Sequence, residues 1–327
     1  MKIALVTGAG SGLGLETARQ LLAAGFEVHV ACRTQAAAAL VCAAQLERHP
    51  HAVAAPSLNL CELANVRAFV ADFAPARLGV LVCNAGIMMA PHAGPNSAVE
   101  SHVAVNFLAH FLLTRLLAPK LRAAHAASGE PARVINVSSD AHLWVTALPL
   151  DDDSIAAAFC PPRAAYDHNR QYALSKLFQI YDTVAMNRAH APHIISFAVH
   201  PGVIATNIAR HSMLASALFP VLRLVGWLRP HSPWAPRSVA DGVRATITCA
   251  TASLAALGVD CASDFYTRSS GGGADGSGNV HALCTLYFRN GKRVQRHSAL
   301  VLDEAVCSRV MAHSRALSGD TVPKARL

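Results

Sequence analysis

Short apolar runs alternate along the chain with longer stretches of helical composition, and the alternation repeats often enough to define a fold. Residues 2–6 are a short run that reads as a buried parallel strand, followed at once by glycines and then by a helical segment over 15–24 that Gly25 terminates. The next strand is predicted at 27–31, a helix at 35–48, a third strand within 51–60 and a helix at 62–73. Further strands are predicted at 80–83, 133–137, 193–199 and 283–289, with helices at 98–121, 171–189 and 238–250 between them. Strands and helices in this order imply right-handed β-α-β units: an α/β fold, a doubly wound parallel sheet of Rossmann type with helices on both faces.

Three stretches break the rhythm. Residues 140–170, with Asp151-Asp152-Asp153 and Pro161-Pro162, read as a long irregular insertion. Residues 203–236 include a strongly apolar run at 213–228, broken by Pro220 and Arg223, and residues 265–282 form a glycine-rich loop insertion. No internal repeat or second boundary interrupts the pattern, so residues 1–327 are read as one domain.

Composition narrows the function classes. Hydrophobic residues make up 53% of the chain and charged residues 15%, enough apolar material for a large core. The net charge of +8 comes from scattered Lys and Arg without a basic run or aromatic interleaving, so no nucleic-acid partner is expected. Nine cysteines show no C-x-x-C pair, and 17 histidines form no H-E-x-x-H cluster, so no metal is expected. The scattered thiols and the strand beginning at Lys2 suggest a reducing, cytoplasmic setting without a leader. No apolar run reaches the ~20 residues of a membrane span.

The chemistry gathers at predicted strand ends. Thr7-Gly8-Ala9-Gly10-Ser11-Gly12-Leu13-Gly14 joins the first strand to its helix, where unpaired N–H groups at a helix N-terminus suit a dinucleotide's phosphates. Tyr172 and Lys176 stand at i and i+4 of a helix, on one face, so an ammonium would sit beside a phenol and favour its phenolate. Tyr166 has only Arg170 at that spacing, and a guanidinium holds its charge too firmly for the same role. Asn84-Ala85-Gly86 ends the fourth strand, Ser139 follows the fifth, and Asn106 lies in the long helix between.

The spacing Thr7-Gly8-x-x-x-Gly12-x-Gly14, with the features above, resembles the short-chain dehydrogenase/reductase family from Lys2 to about Ala250. Ala31-Cys32-Arg33, Leu81 to Met89, His110 to Thr114 and Arg133 to Ser139 are similar to its retinol dehydrogenase-like and protochlorophyllide reductase-like branch. The resemblance implies Tyr172 as general acid/base, and Lys176 as the cation that lowers its pKa and holds the nicotinamide ribose. It further implies Ser139 on the substrate oxygen, Asn106 helping to hold a proton-relay water, and Pro201, Gly202 and Thr206 at the nicotinamide end. Where the family usually carries an acid against the adenine, this chain has Asn59, followed by Leu60.

The second strand ends in Cys32-Arg33-Thr34 without an acid, and a guanidinium binds a ribose 2′-phosphate that a carboxylate would repel, so NADP(H) is the expected cofactor. The expected substrate is a hydrophobic alcohol and its aldehyde or ketone. The alternatives are an enone or protochlorophyllide-type C=C reductase, or a catalytically silent NADP-binding scaffold. Residues 203–236, with the apolar run at 213–228, are expected to form a substrate lid, with a helix packed on the core, a homodimer interface or a peripheral membrane contact as the other uses of such a segment.

Overall fold

The computed structural model describes residues 1–92, 98–202, 204, 238–259, 287–289, 292–293 and 303–319. Its strands are β1 (Ile3–Thr7), β2 (Glu27–Ala31), β3 (Ala52–Ala54), β4 (Val80–Cys83), β5 (Ala132–Val137), β6 (Ile194–His200), β7 (Tyr287–Arg289) and β8 (Lys292–Arg293). They form one sheet in the order 3-2-1-4-5-6-7-8, parallel from β3 to β7 with β8 antiparallel at the edge. Alternate residues feed opposite faces, so Val80 and Val82 join the core on one side while Leu81 and Cys83 join that on the other. Burial on both faces is why β4 reads as a continuous apolar run.

The helices are α1 (Gly12–Ala23), α2 (Gln35–Leu40), α3 (Leu63–Asp72), α4 (Ala109–Ser128), α5 (Asp152–Phe159), α6 (His168–His190), α7 (Val239–Gly242), α8 (Arg244–Thr251) and α9 (Glu304–Ser318). Leu21 and Leu22 of α1 share the first core with Ala245 and Cys249 of α8. On the opposite face Phe107, Phe111, Phe159, Phe178 and Tyr181 build an aromatic cluster joined by Val310 and Met311 of α9. The reversal of strand order falls between β1 and β4, and there a crevice opens beyond the carboxyl ends of the strands.

Several predicted elements differ. Only Ala52–Ala54 of the predicted 51–60 strand pairs as β3, although Ala55 and Leu58 still donate to Val30 and Cys32 along the edge of β2. The predicted 35–48 helix changes after α2 into a π turn, Val41–Gln45, and ends at Glu47 and Arg48 in left-handed conformations. The long helix opens with a second π segment, Val103–Leu108, before continuing as α4 to Gly129 at φ +73°. The stretch 140–170 is not irregular. It carries α5, two 3₁₀ turns, Asp140–Trp144 and Arg163–Ala165, and the start of α6. Asp151 caps α5 by accepting from Ser154 N at 2.7 Å, so the acidic triplet is a helix start.

The C-terminal helix α9 was not expected, although its ends carry ordinary signals. Asp303 caps it by accepting from Val306 N, and Gly319 closes it at φ +60°. The predicted lid at 203–236 (apart from Ile204), the glycine-rich loop 265–282 and the first part of the predicted 283–289 strand lie outside the described residues.

Candidate active site

The glycine turn is built by close approach. Gly8 and Gly12 sit at φ +65° and +55°, and a Cβ on Gly8 would lie 2.8 Å from Ala85 Cα. A Cβ on Gly14 would lie 2.3 Å from Gly8 O, so only hydrogen fits between α1 and the turn. Ser11 precedes α1 without a side-chain cap, which leaves the first-turn N–H groups of the helix to whatever enters the cleft.

Thr7 does not reach that cleft. It is fully buried beneath the turn, and its Oγ1 accepts from Asn84 N and Ala85 N, each at 3.0 Å. Asn84 returns a bond from Nδ2 to Thr7 O at 2.9 Å. Thr7 therefore joins the ends of β1 and β4 and shapes the floor on which Gly8 rests.

A single cleft of about 620 Å³ collects most of the predicted cofactor residues. Gly8, Ser11, Gly12, Leu13 and Gly14 form one wall, and Asn84, Ala85 and Gly86 form the floor. Arg33 lies exposed at the mouth with no hydrogen-bond or ion-pair partner among the described residues. Leu60 and Asn59 border the same end. The side chain of Asn59 is engaged locally, accepting from Cys61 N and donating to Glu62 Oε1, so it holds the turn ahead of α3 as well as lining the cleft. Tyr172, Lys176 and Pro201 close the far end, with Gly202 next to Pro201 at φ +88°. Thr206 is outside the described residues. The cleft also recruits Cys32, Ser138 and Met88, which no spacing rule singled out.

Tyr172 and Lys176 stand on consecutive turns of α6, both buried, with Lys176 Nζ 5.6 Å from the phenol ring. The expected lowering of the Tyr172 pKa is not found in the protein alone. Burial pushes Tyr172 up to about 12, opposed by the nearby Ser139 hydroxyl, and burial pushes Lys176 down to about 7. Both groups avoid charge in a dry site, so at neutral pH the lysine is only partly charged and gives the phenol little help. Lys176 Nζ donates to Val137 O at 2.7 Å and to Gln179 Oε1 at 3.1 Å.

Asn106 is completely buried, and its side chain clamps the turn after β4. Its Oδ1 accepts from Ile87 N at 2.8 Å, and its Nδ2 donates to Ile87 O and Ser175 Oγ. Its main-chain oxygen accepts from Gln179 Nε2 at 2.8 Å and from His110 Nδ1 at 3.1 Å. Tyr166 precedes α6 rather than riding on it, and its hydroxyl donates to Ala90 O at 2.6 Å, away from Lys176. Beside it a buried pair, Glu100 Oε1 and His102 Nδ1 at 2.7 Å, sets the imidazole edge-on to the Tyr172 ring. Among the described residues no group of three His, Cys, Asp or Glu is placed to hold a metal.

A glycine turn at a helix N-terminus and a buried Tyr–Lys pair in one crevice of a doubly wound sheet define a nicotinamide-dependent oxidoreductase. A family model described as short chain dehydrogenase matches residues 2–146. Retinol dehydrogenase 12 of Homo sapiens is 32% identical over 258 residues, covering 77% of this chain and 73% of that protein. The chain belongs to the short-chain dehydrogenase/reductase family, in its retinol dehydrogenase-like branch. Polyprenol dehydrogenase of Mus musculus is 36% identical over 241 residues, covering 71% of this chain and 68% of that protein. The fold is shared with a gluconate 5-dehydrogenase from Burkholderia cenocepacia solved with NADP and tartrate, at TM-score 0.58 and 24% identity, covering 77% of this chain and 89% of that one.

Proposed function

We propose that one domain carries an NADP(H)-dependent oxidoreductase that interconverts a hydrophobic alcohol and its aldehyde or ketone, with Tyr172 as general acid/base. The observation that carries the reading is the buried phenol of Tyr172, one turn from Lys176, in the cleft that the glycine turn opens. Gly8 and Gly14 let the turn pack directly against Ala85 and Asn84, where a Cβ would clash, and the uncapped first turn of α1 leaves N–H groups for a pyrophosphate. The N–H groups at Gly12 to Gly14 would hold the phosphates, Arg33 the 2′-phosphate, and Asn84 to Gly86, Lys176, Pro201 and Gly202 the nicotinamide half.

When bound, NADP(H) supplies or accepts the hydride. Tyr172 passes a proton to the carbonyl oxygen in reduction and removes it from the alcohol in oxidation. Ser139 holds that oxygen beside the phenol. Lys176, when charged, stabilises the phenolate left behind. The hydrophobic substrate class is supported by relatives named for retinol and polyprenol, both apolar alcohols, and by the apolar run 213–228.

Aldehydes of increasing chain length, assayed with NADPH, test the reading. Each added CH₂ that is buried contributes ~0.8 kcal/mol, so kcat/KM is expected to rise about fourfold per methylene until the pocket is filled. A flat series, or a preference for small polar ketones, contradicts the hydrophobic class. Activity on enones alone replaces carbonyl chemistry with C=C reduction.

A further inference from the structure

We propose that Gln179 is a positioning residue for the reaction, its side-chain amide tying Lys176 to the distorted turn of the long helix and aiming the ammonium at the cleft. The proposal rests on the catalytic reading of Tyr172 and Lys176 given above. Gln179 lies one turn beyond Lys176 on α6 and is almost completely buried. Its Oε1 accepts from Lys176 Nζ at 3.1 Å, while its Nε2 donates to Asn106 O at 2.8 Å.

Asn106 lies within the π segment, where Ala109 N donates five residues back to Ala104 O. Its carbonyl also accepts from His110 Nδ1, so two side-chain donors occupy its two lone pairs. His110 is anchored in turn: Thr7 Oγ1, already accepting from two backbone N–H groups, lies 2.9 Å from His110 Nε2 and donates to it. A chain of hydrogen bonds thus runs from the base of the glycine turn through His110, Asn106 O and Gln179 to Lys176.

An ammonium has three donors. Val137 O and Gln179 Oε1 take two of those on Lys176, which leaves the third for the cleft. A carboxamide donates and accepts without releasing a proton, so Gln179 fixes the lysine and relays nothing. The titratable groups set against Lys176 are Tyr172 on its own helix and His110 from α4, while Val137 of β5 and Gly86 after β4 carry none.

Gln179→Met, of similar length but without the amide, and Gln179→Asn, one methylene shorter, test this by two readouts. In the cofactor-free protein, ¹³Cε-lysine NMR follows the charge of Lys176. Loss of an acceptor from the charged form is expected to lower its titration midpoint by about one unit in Gln179→Met and by about half of that in Gln179→Asn. In alcohol oxidation the acid limb of kcat against pH is expected to move up, with kcat at neutral pH falling about tenfold and KM changing less than about threefold. Unchanged midpoints, or moved midpoints with an unmoved limb, overturn the assignment even where the melting temperature falls. If Gln179→Met does not fold, Gln179→Asn decides on the same readouts. Full activity in Tyr172→Phe would instead remove the catalytic reading and leave the NMR titration standing.

Discussion

Among the side chains of the cleft, Arg33 has the most specific proposed task. Its exposed guanidinium at the end of β2 would meet a 2′-phosphate and nothing else of the cofactor. Arg33→Ala is therefore expected to raise the NADPH dissociation constant about tenfold or more and to leave NADH nearly unchanged, as calorimetry would show. Equal losses for both cofactors would make Arg33 a structural residue. Tyr172 and Lys176 were legible because i, i+4 spacing on a helix fixes their common face. Gln179 was not, because α6 is buried on nearly every side from Gln171 to Val184 and no amphipathic pattern marks which polar residue turns inward. The direction of the pKa shifts was also hidden, since spacing reports which groups meet and not how dry the site is.

At the scale of elements, the junction of β1 and α1 is fixed by backbone contact more than by side chains. Gly14→Ala would force a Cβ to within 2.3 Å of Gly8 O and 2.5 Å of Asn84 Nδ2, so it is expected to lower the melting temperature and abolish NADPH binding. Wild-type values for both would show that the turn tolerates a side chain. The strands β1, β2, β4, β5 and β6 were legible because each is rich in apolar residues and bounded by turn residues, polar members such as His29, Arg133 and Asn136 being too few to hide the pattern. The two π segments were not, because an inserted residue leaves helical composition unaltered and displaces only the hydrogen-bond ladder. The helix α5 was less legible: Asp151 and the acids after it mark a helix start, but the prolines at 161 and 162 are equally the signature of a loop.

For the molecule as a whole, acid is expected to act through buried neutral histidines. Burial holds His110 down at about 4, against an ordinary value of 6.5, and His190 is held down similarly with help from Arg122 and Arg115. The unfolded chain takes up these protons first as the pH falls, so stability drops between about pH 6.5 and pH 4 and is intact above that window. His110→Asn removes the share belonging to the fully buried ring, which amounts to as much as about 3 kcal/mol, and should flatten the fall of melting temperature with pH across that range. An unchanged slope would mean that His110 is not the group titrating.

The same ring ties the glycine turn to α4, so the sheet, the cofactor cleft and the Tyr–Lys helix are held as one unit. That unit exists, on this account, to present one phenol to one substrate oxygen. The most direct test is Tyr172→Phe, which removes the hydroxyl and leaves the buried ring. Single-turnover and steady-state assays with NADPH and the best aldehyde should show a loss of at least ~10²-fold, with NADPH affinity and melting temperature close to wild type. A variant that kept most of its activity would contradict the assignment of Tyr172 as the proton donor.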